Sequence, residues 1–442
     1  MTVIDGLARP TAESARHQVL VAEGTYAERY SSADVISYPP APPRSRSVRL
    51  VDTALARMGA GRPFASREYR AAFKVLSDAP HTVLLHNAPN VATLLPAQSA
   101  PVLYAHNEIL HGAPWAAHSS VRGLEGIITV SEWLAERTRL HVPRSMRSRV
   151  VSLVNGVDTD SFVPVDRTDR DGLRILYVGR VVPEKGPDVL LDAVERAGIH
   201  GLTVRIVGSE GFAIDGPLSS YERALRRRAS TLSCGVEFVP FTPRAKLPAH
   251  YDWADVVTLP SRWEEPCGLT LLESLASGVA TVVTESGGMP EVAGDAAIVI
   301  RRNDPAALID VLRQLADAPT ARSDLGRRAR ERSMEFSWAG RAERLDEILK
   351  EWGLPTAGPG REVTPISRSS SSTMGPAMTA LKECAGGRKP TLGCVCAPRA
   401  RRASRPPGTT RWQPARLVRH TSSSWIRTIY CPPTSSVARS PA

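Results

Sequence analysis

Between about residue 82 and residue 300 the chain alternates short apolar runs rich in β-branched residues with longer amphipathic stretches. Runs of four or five such residues predict strands, and apolar positions returning every three or four residues predict helices. The clearest strands fall at 82–85, 102–104, 126–130 and 150–154, then at 174–178, 204–207, 236–239, 255–259 and 280–283. Helical patterns cover 187–197, 221–232, 269–276, 305–316, 320–335 and 341–352. Strand and helix in alternation predict βαβ units and an α/β fold with parallel sheets. A polar, Asp-rich connector from Pro164 to Gly172 divides the pattern into two Rossmann-like halves. Two such halves face each other across a cleft, and α/β sheets bind ligands beyond the carboxyl ends of their strands.

The expected domains are residues 1–163, a linker at 164–172, and residues 173–337. A helix at 338–354 packs back toward the first domain, and a tail occupies 355–442. The start fits the pattern poorly. A Rossmann-type domain opens with an apolar strand and a Gly-rich turn, whereas here the first plausible strand is 18–22. The expectation is that the first strand is missing and that the natural start lies upstream.

Charge sharpens this division. The 442 residues carry a formal net charge of +11, which invites a nucleic-acid reading. Residues 355–442, however, hold 14 basic and 2 acidic side chains, leaving 42 and 43 for the rest. The excess belongs to the tail, so no nucleic-acid partner is expected for the folded body. The tail has Ser runs at 369–372 and 422–424 with Pro and Arg throughout. It cannot bury enough apolar surface to offset its ordering entropy and is expected to be disordered. Its composition is also that of GC-rich DNA read out of frame. The first 150 residues hold 17 basic and 12 acidic side chains, a bias compatible with peripheral contact with an anionic membrane face.

Of six cysteines, only Cys234 and Cys267 lie in the body, which fits a reducing compartment. No apolar run is long enough to span a bilayer and no signal-peptide pattern opens the chain, so a cytoplasmic location is expected. Cys394, Cys396 and His420 lack the second ligand pair of a zinc site, so no metal is expected.

The chemistry concentrates in the second half. The strand ending at Val178 runs into Gly179-Arg180-Val181-Val182-Pro183-Glu184-Lys185-Gly186, and a helix starts at Pro187. Arg180 and Lys185 thus sit on a glycine-flanked loop at a strand's carboxyl end, which suits a diphosphate. Further on, a strand ends at Pro260, Glu265 follows in a loop, and a helix opens near Gly268 and contains Glu273. The free N–H groups and positive dipole end of such a helix suit phosphate oxygens. Two plainer readings stand beside this one: Glu265 caps the helix, and Glu273 is an ordinary surface residue. Leu271, Leu272, Leu275 and Ala276 make the helix largely apolar, so a buried Glu273 would need a partner.

These motifs resemble those of the family 4 glycosyltransferases. The matching residues are Gly179-Arg180, Pro183-Glu184-Lys185-Gly186, the Glu-x7-Glu element from Glu265 to Glu273, Asn155-Gly156-Val157-Asp158, Val130-Ser131-Glu132 and the strand-end His106. The resemblance spans roughly residues 15–352 and implies the GT-B fold of two facing Rossmann-like domains. It implies a retaining transfer of a hexose from a nucleotide-diphosphate sugar to a glycan, lipid or small-molecule acceptor, with no cofactor. Arg180 and Lys185 would neutralise the departing diphosphate, Glu265 would hold the donor sugar, and Glu273 would bind the ribose. Gly268 and Leu269 would offer backbone N–H groups, and His106 would face donor sugar and acceptor. Cys267 stands where the family commonly has an aromatic.

Fixed cations and a helix N-terminus would stabilise leaving-group charge without a metal. Asp158-Thr159-Asp160 and Asp169-Arg170-Asp171 mimic the metal-binding Asp-x-Asp of the other glycosyltransferase fold but read as solvated linker residues. The alternatives are a sugar-nucleotide epimerase of the same fold and a catalytically impaired nucleotide-sugar binder with damaged termini.

Overall fold

A computed structural model describes residues 2–8, 17–23, 31–38, 45–57, 80–110, 120–167, 171–211 and 216–356, with single positions between 64 and 76 and at 117–118. Cys394, Cys396, His420, the Asp169–Arg170 pair and nearly all of the expected tail fall outside the described residues.

A short helix α1 (Thr2–Leu7) precedes a two-stranded parallel pair, β1 (Gln18–Ala22) and β2 (Asp34–Tyr38). Then come α2 (Arg46–Arg57) and a four-stranded parallel sheet in chain order. Its strands are β3 (His81–His86), β4 (Ser99–Ala105), β5 (Gly126–Thr129) and β6 (Val150–Ser152). Between the last two lies α3 (Glu132–His141), whose first turn is capped by Ser131 Oγ accepting from Leu134 N at 3.2 Å.

The second sheet has six parallel strands in the order β12-β11-β10-β7-β8-β9. They are β7 (Leu173–Val178), β8 (Leu202–Val207), β9 (Gly235–Val239), β10 (Val256–Leu259), β11 (Ala280–Thr284) and β12 (Ile298–Ile300). The helices in this half are α4 (Pro187–Ala197), α5 (Ser220–Ala229), α6 (Pro248–Trp253), α7 (Leu269–Ala276), α8 (Met289–Ala293), α9 (Pro305–Asp317) and α10 (Pro319–Met334). A last helix is α11 (Trp338–Glu351).

Both faces of the six-stranded sheet are covered, and β7 shows why its sequence is continuously apolar. Ile175 and Tyr177 enter a core with Leu190, Leu191, Leu308 and Leu312, while Leu176 and Val178 enter another with Leu271, Leu272 and Leu275. The strand order proceeds one way through β8 and β9 and the other way through β10 to β12. Progress therefore reverses at the β7–β10 seam, the place where doubly wound sheets leave a crevice for ligands.

The chain crosses between the halves twice. Val157 N donates to Phe336 O at 2.8 Å, and Trp338, Leu345, Ile348 and Leu349 of α11 are buried in the core of the first half. The connector is less solvated than its composition suggests. The Arg167 guanidinium donates to the carbonyls of Ala254 (2.8 Å), Ser277 (3.2 Å) and Tyr251 (3.3 Å), fastening it to the second half. A third tie is electrostatic. Glu291 on α8 accepts from the N–H groups of Glu132 (2.8 and 2.9 Å) and Trp133 (3.2 Å) at the start of α3. A carboxylate there satisfies unpaired helix donors and the dipole together.

Replacing Glu291 with Ala should cost about 1 kcal/mol, lowering the thermal midpoint by roughly 1–2 °C. An unchanged midpoint in calorimetry would count against the tie.

Candidate active site

The loops after β7 and β10 lie side by side because those strands are neighbours: Ile175 pairs with Val256 and Leu176 with Val257. The first loop takes a tight turn at Gly186, where φ is +69° and a Cβ would run into the Pro260 carbonyl. Only glycine allows that approach. The turn brings Lys185 to Glu265, and the two form an ion pair, Nζ to Oε1. Their side chains are 26% and 12% exposed, so the charges are largely shielded from bulk water. Ser261 Oγ lies 3.4 Å from the same carboxylate oxygen.

Backbone and side-chain bonds hold the loops together. Glu184 O accepts from Arg262 N (2.8 Å), Trp263 N (3.1 Å) and Ser261 Oγ (3.3 Å). Arg262 grips Asp188, in the first turn of α4, with two bonds of 2.7 Å, and Tyr221 Oη adds a third at 2.6 Å. Burial alone would raise the Asp188 pKa, but these bonds and the guanidinium charge bring it below its ordinary value. Paired fork-to-fork contacts of this kind fix geometry as well as charge. Arg180 is exposed and, among the described residues, its guanidinium has no hydrogen-bond or ion-pair partner.

The α7 N-terminus follows Glu265 directly. Gly268 is its N-cap and supplies no side-chain bond, so Glu265 is not the cap; its partners are Lys185 and Ser261. The first N–H groups of the helix, at Leu269 and after, are left uncapped by side chains. Glu273 is buried, at 4% exposure, and is no surface residue. Tyr251 Oη donates to its Oε2 at 3.0 Å, and Arg244 Nη2 lies 3.4 Å from Oε1. Burial lifts its pKa above the ordinary carboxyl range, with Arg244 and Tyr251 pulling the other way. Nothing in the local sequence marks Arg244 or Tyr251 as its partners.

His106 follows β4 in the first half. Its ring is paired with His86, Nε2 to Nδ1 at 2.8 Å, and tilted against Tyr104 with centroids 5.0 Å apart. Among the described residues neither Lys185 nor Glu265 is a hydrogen-bond or ion-pair partner of His106. Cys267, like Leu269, packs against the cores of both halves. Burial pushes the Cys267 thiol up to about 12, Asn155 pulling the other way, so it stays protonated. Among the described residues no group of acidic, His or Cys side chains is arranged to hold a metal ion. Asp158 instead accepts from the N–H groups of Ser161 and Asp160, at 3.1 and 3.2 Å. No described helix is long and apolar enough to cross a membrane.

Two parallel-sheet halves with these loops at a switch point define the GT-B fold of glycosyltransferases. An Anabaena protein, Alr3699/HepE, solved in complex with UDP and glucose, superposes with a TM-score of 0.58 at 17% identity, over 79% of this chain and 95% of that one. Residues 159–332 match the family described as Glycosyl transferases group 1. The D-inositol 3-phosphate glycosyltransferase of Corynebacterium aurimucosum is 32% identical over 219 residues, 46% of this chain and 51% of that protein. The GDP-mannose-dependent alpha-(1-6)-phosphatidylinositol monomannoside mannosyltransferase of Mycolicibacterium smegmatis is 32% identical over 241 residues, 47% of this chain and 60% of that protein. The chain thus spans about half to three-fifths of the length of these relatives.

The raised Glu273 pKa carries a sign. The folded state holds that proton more tightly than the unfolded chain, so stability falls as pH climbs from the unfolded value through the raised one. Glu273→Gln should therefore melt no lower than wild type near about pH 7, the gap in its favour closing toward about pH 4. A variant that melts clearly lower at neutral pH contradicts this.

Proposed function

We propose that the protein is a retaining glycosyltransferase of the family 4 type, moving a hexosyl group from a nucleoside-diphosphate sugar to an acceptor. The observation that carries this is the shielded Lys185–Glu265 pair, with exposed Arg180, at the β7–β10 seam beside the open end of α7. Breaking a sugar–phosphate bond builds negative charge on the diphosphate and positive charge on the sugar. Arg180, Lys185 and the N–H groups of Gly268 and Leu269 take the first, and the Glu265 carboxylate takes the hydroxyls of the second. Glu273 binds the ribose diol. His106 serves the sugar and the acceptor from the opposite half.

Cations supplied by the chain make a metal unnecessary in this scheme. Retention follows if the acceptor hydroxyl attacks from the face the diphosphate leaves. A double-displacement route needs a second carboxylate across the bond, and the sequence supplies no candidate. The acceptor is a glycan, a lipid or a small molecule. The names of the relatives span inositol phosphate and a phosphatidylinositol mannoside, and the donor nucleotide of one of them is GDP. A lipid acceptor would bring the basic first half against an anionic membrane face.

The full chain incubated with UDP-, GDP- and ADP-hexoses and candidate acceptors should release nucleoside diphosphate from one donor. Arg180→Ala and Glu265→Ala should each reduce that release by about a hundredfold or more. Release that survives both substitutions contradicts the assignment.

A further inference from the structure

The end of β3 holds a group of residues that the donor site does not use. His86 is 3% exposed and is the last residue of its strand, opposite Tyr104 in the β3–β4 register. The strands continue past their ends through Asn87. Its N–H donates to Tyr104 O at 3.0 Å, and its Oδ1 accepts from His106 N at 2.7 Å. To do so Asn87 takes a left-handed backbone, φ +57°, which asparagine adopts more readily than most residues with a side chain. Its side-chain Nδ2 is buried with no partner among the described residues. A desolvated donor without a partner is an unfavourable feature that tends to persist at functional sites. Asn87 Oδ1 holds the His106 backbone while His86 holds the His106 ring, nearly parallel at 16° and with Nδ1 to Nε2 at 2.8 Å.

We infer that His86 is a positioning residue that fixes the tautomer of His106, leaving the His106 Nδ1 bare to accept a hydrogen bond from a sugar or acceptor hydroxyl. This rests on the assignment of His106 to the reaction proposed above. Burial lowers both pKa values, that of His106 to about 3, so both rings are neutral at physiological pH. Two neutral imidazoles joined by one Nδ1···Nε2 contact share one proton, and each ring's free nitrogen is then decided by the other. If His106 donates from Nε2, each ring carries its proton on Nε2, the commoner neutral form. The Nδ1 of His106 is then an acceptor. The opposite arrangement would put both rings in the rarer form.

The test combines spectroscopy and kinetics on the full chain. In protein labelled with ¹⁵N-histidine, the Nδ1 of His106 should resonate as an unprotonated, pyridine-type nitrogen. In His86→Phe, which keeps a ring but loses the bond, that signal should move toward the average of a mixed tautomer. The donor KM should hold within about twofold while kcat falls about tenfold or more. His86→Gln, whose amide oxygen can accept from Nε2, should recover most of the activity and so separates lost positioning from lost folding. A pyrrole-type Nδ1 in wild type, or a His86→Phe variant with wild-type kcat and unchanged spectrum, overturns the inference. Full activity in His106→Ala would overturn the assignment of His106 instead, and the tautomer is read whether or not the protein turns over.

Discussion

The ion pair between Lys185 and Glu265 depends on a close approach of two loops that only the sheet order permits. Parallel β7 and β10 are neighbours although their segments lie some eighty residues apart, with about 80 positions between Lys185 and Glu265. A glycine at Gly186 removes the side chain that would otherwise hold the loops apart. Once the loops touch, Glu184 O collects three donors and Arg262 clamps Asp188, so the pair sits on a braced platform. Such bracing keeps charges oriented before a ligand arrives, and preorganisation is the main source of electrostatic catalysis.

Both halves carry features that work against folding stability. Glu273 is buried against its charge, Arg244 is only partly satisfied, and Asn87 combines a left-handed backbone with an unpartnered amide. Glu273 lies within α7, Arg244 in the segment after β9, and Asn87 directly after β3. Much of the chain follows ordinary rules. β7 alternates between two cores, α3, α5, α9 and α11 open on Ser or Asp caps, and α11 returns to bury Trp338 in the first half. Such costs are not confined to the candidate site: Glu222 Oε1 and Arg226 Nε on α5 are also buried without hydrogen-bond partners among the described residues.

Much of the second half was legible in the sequence. Its strands are continuous apolar runs and its helices are amphipathic, so expected 187–197 and 269–276 are α4 and α7 as observed. β2 was missed because Asp34–Tyr38 buries only Tyr38 and carries no apolar run, and β12 because three residues set no period. Among the candidate site residues, Arg180, Lys185, Glu265 and Glu273 stand out in the sequence by their offsets from strand ends and glycines, and the fold pairs Lys185 with Glu265 and buries Glu273. Glu291, Arg262 and His86 do not stand out. Their partners lie 159, 74 and 20 residues away, and no local pattern encodes a contact that tertiary packing creates. Glu265 also shows the limit of local reading: beside a helix start it looks like a cap, yet its carboxylate turns to Lys185.

If the braced pair at the β7–β10 seam is a diphosphate site, a crystal structure of the full chain with UDP or GDP shows it directly. The diphosphate is expected between Arg180 and Lys185, with its oxygens toward the N–H groups of Gly268 and Leu269 and the ribose against Glu273. A nucleotide bound elsewhere, or a diphosphate with no contact to either cation, would contradict it.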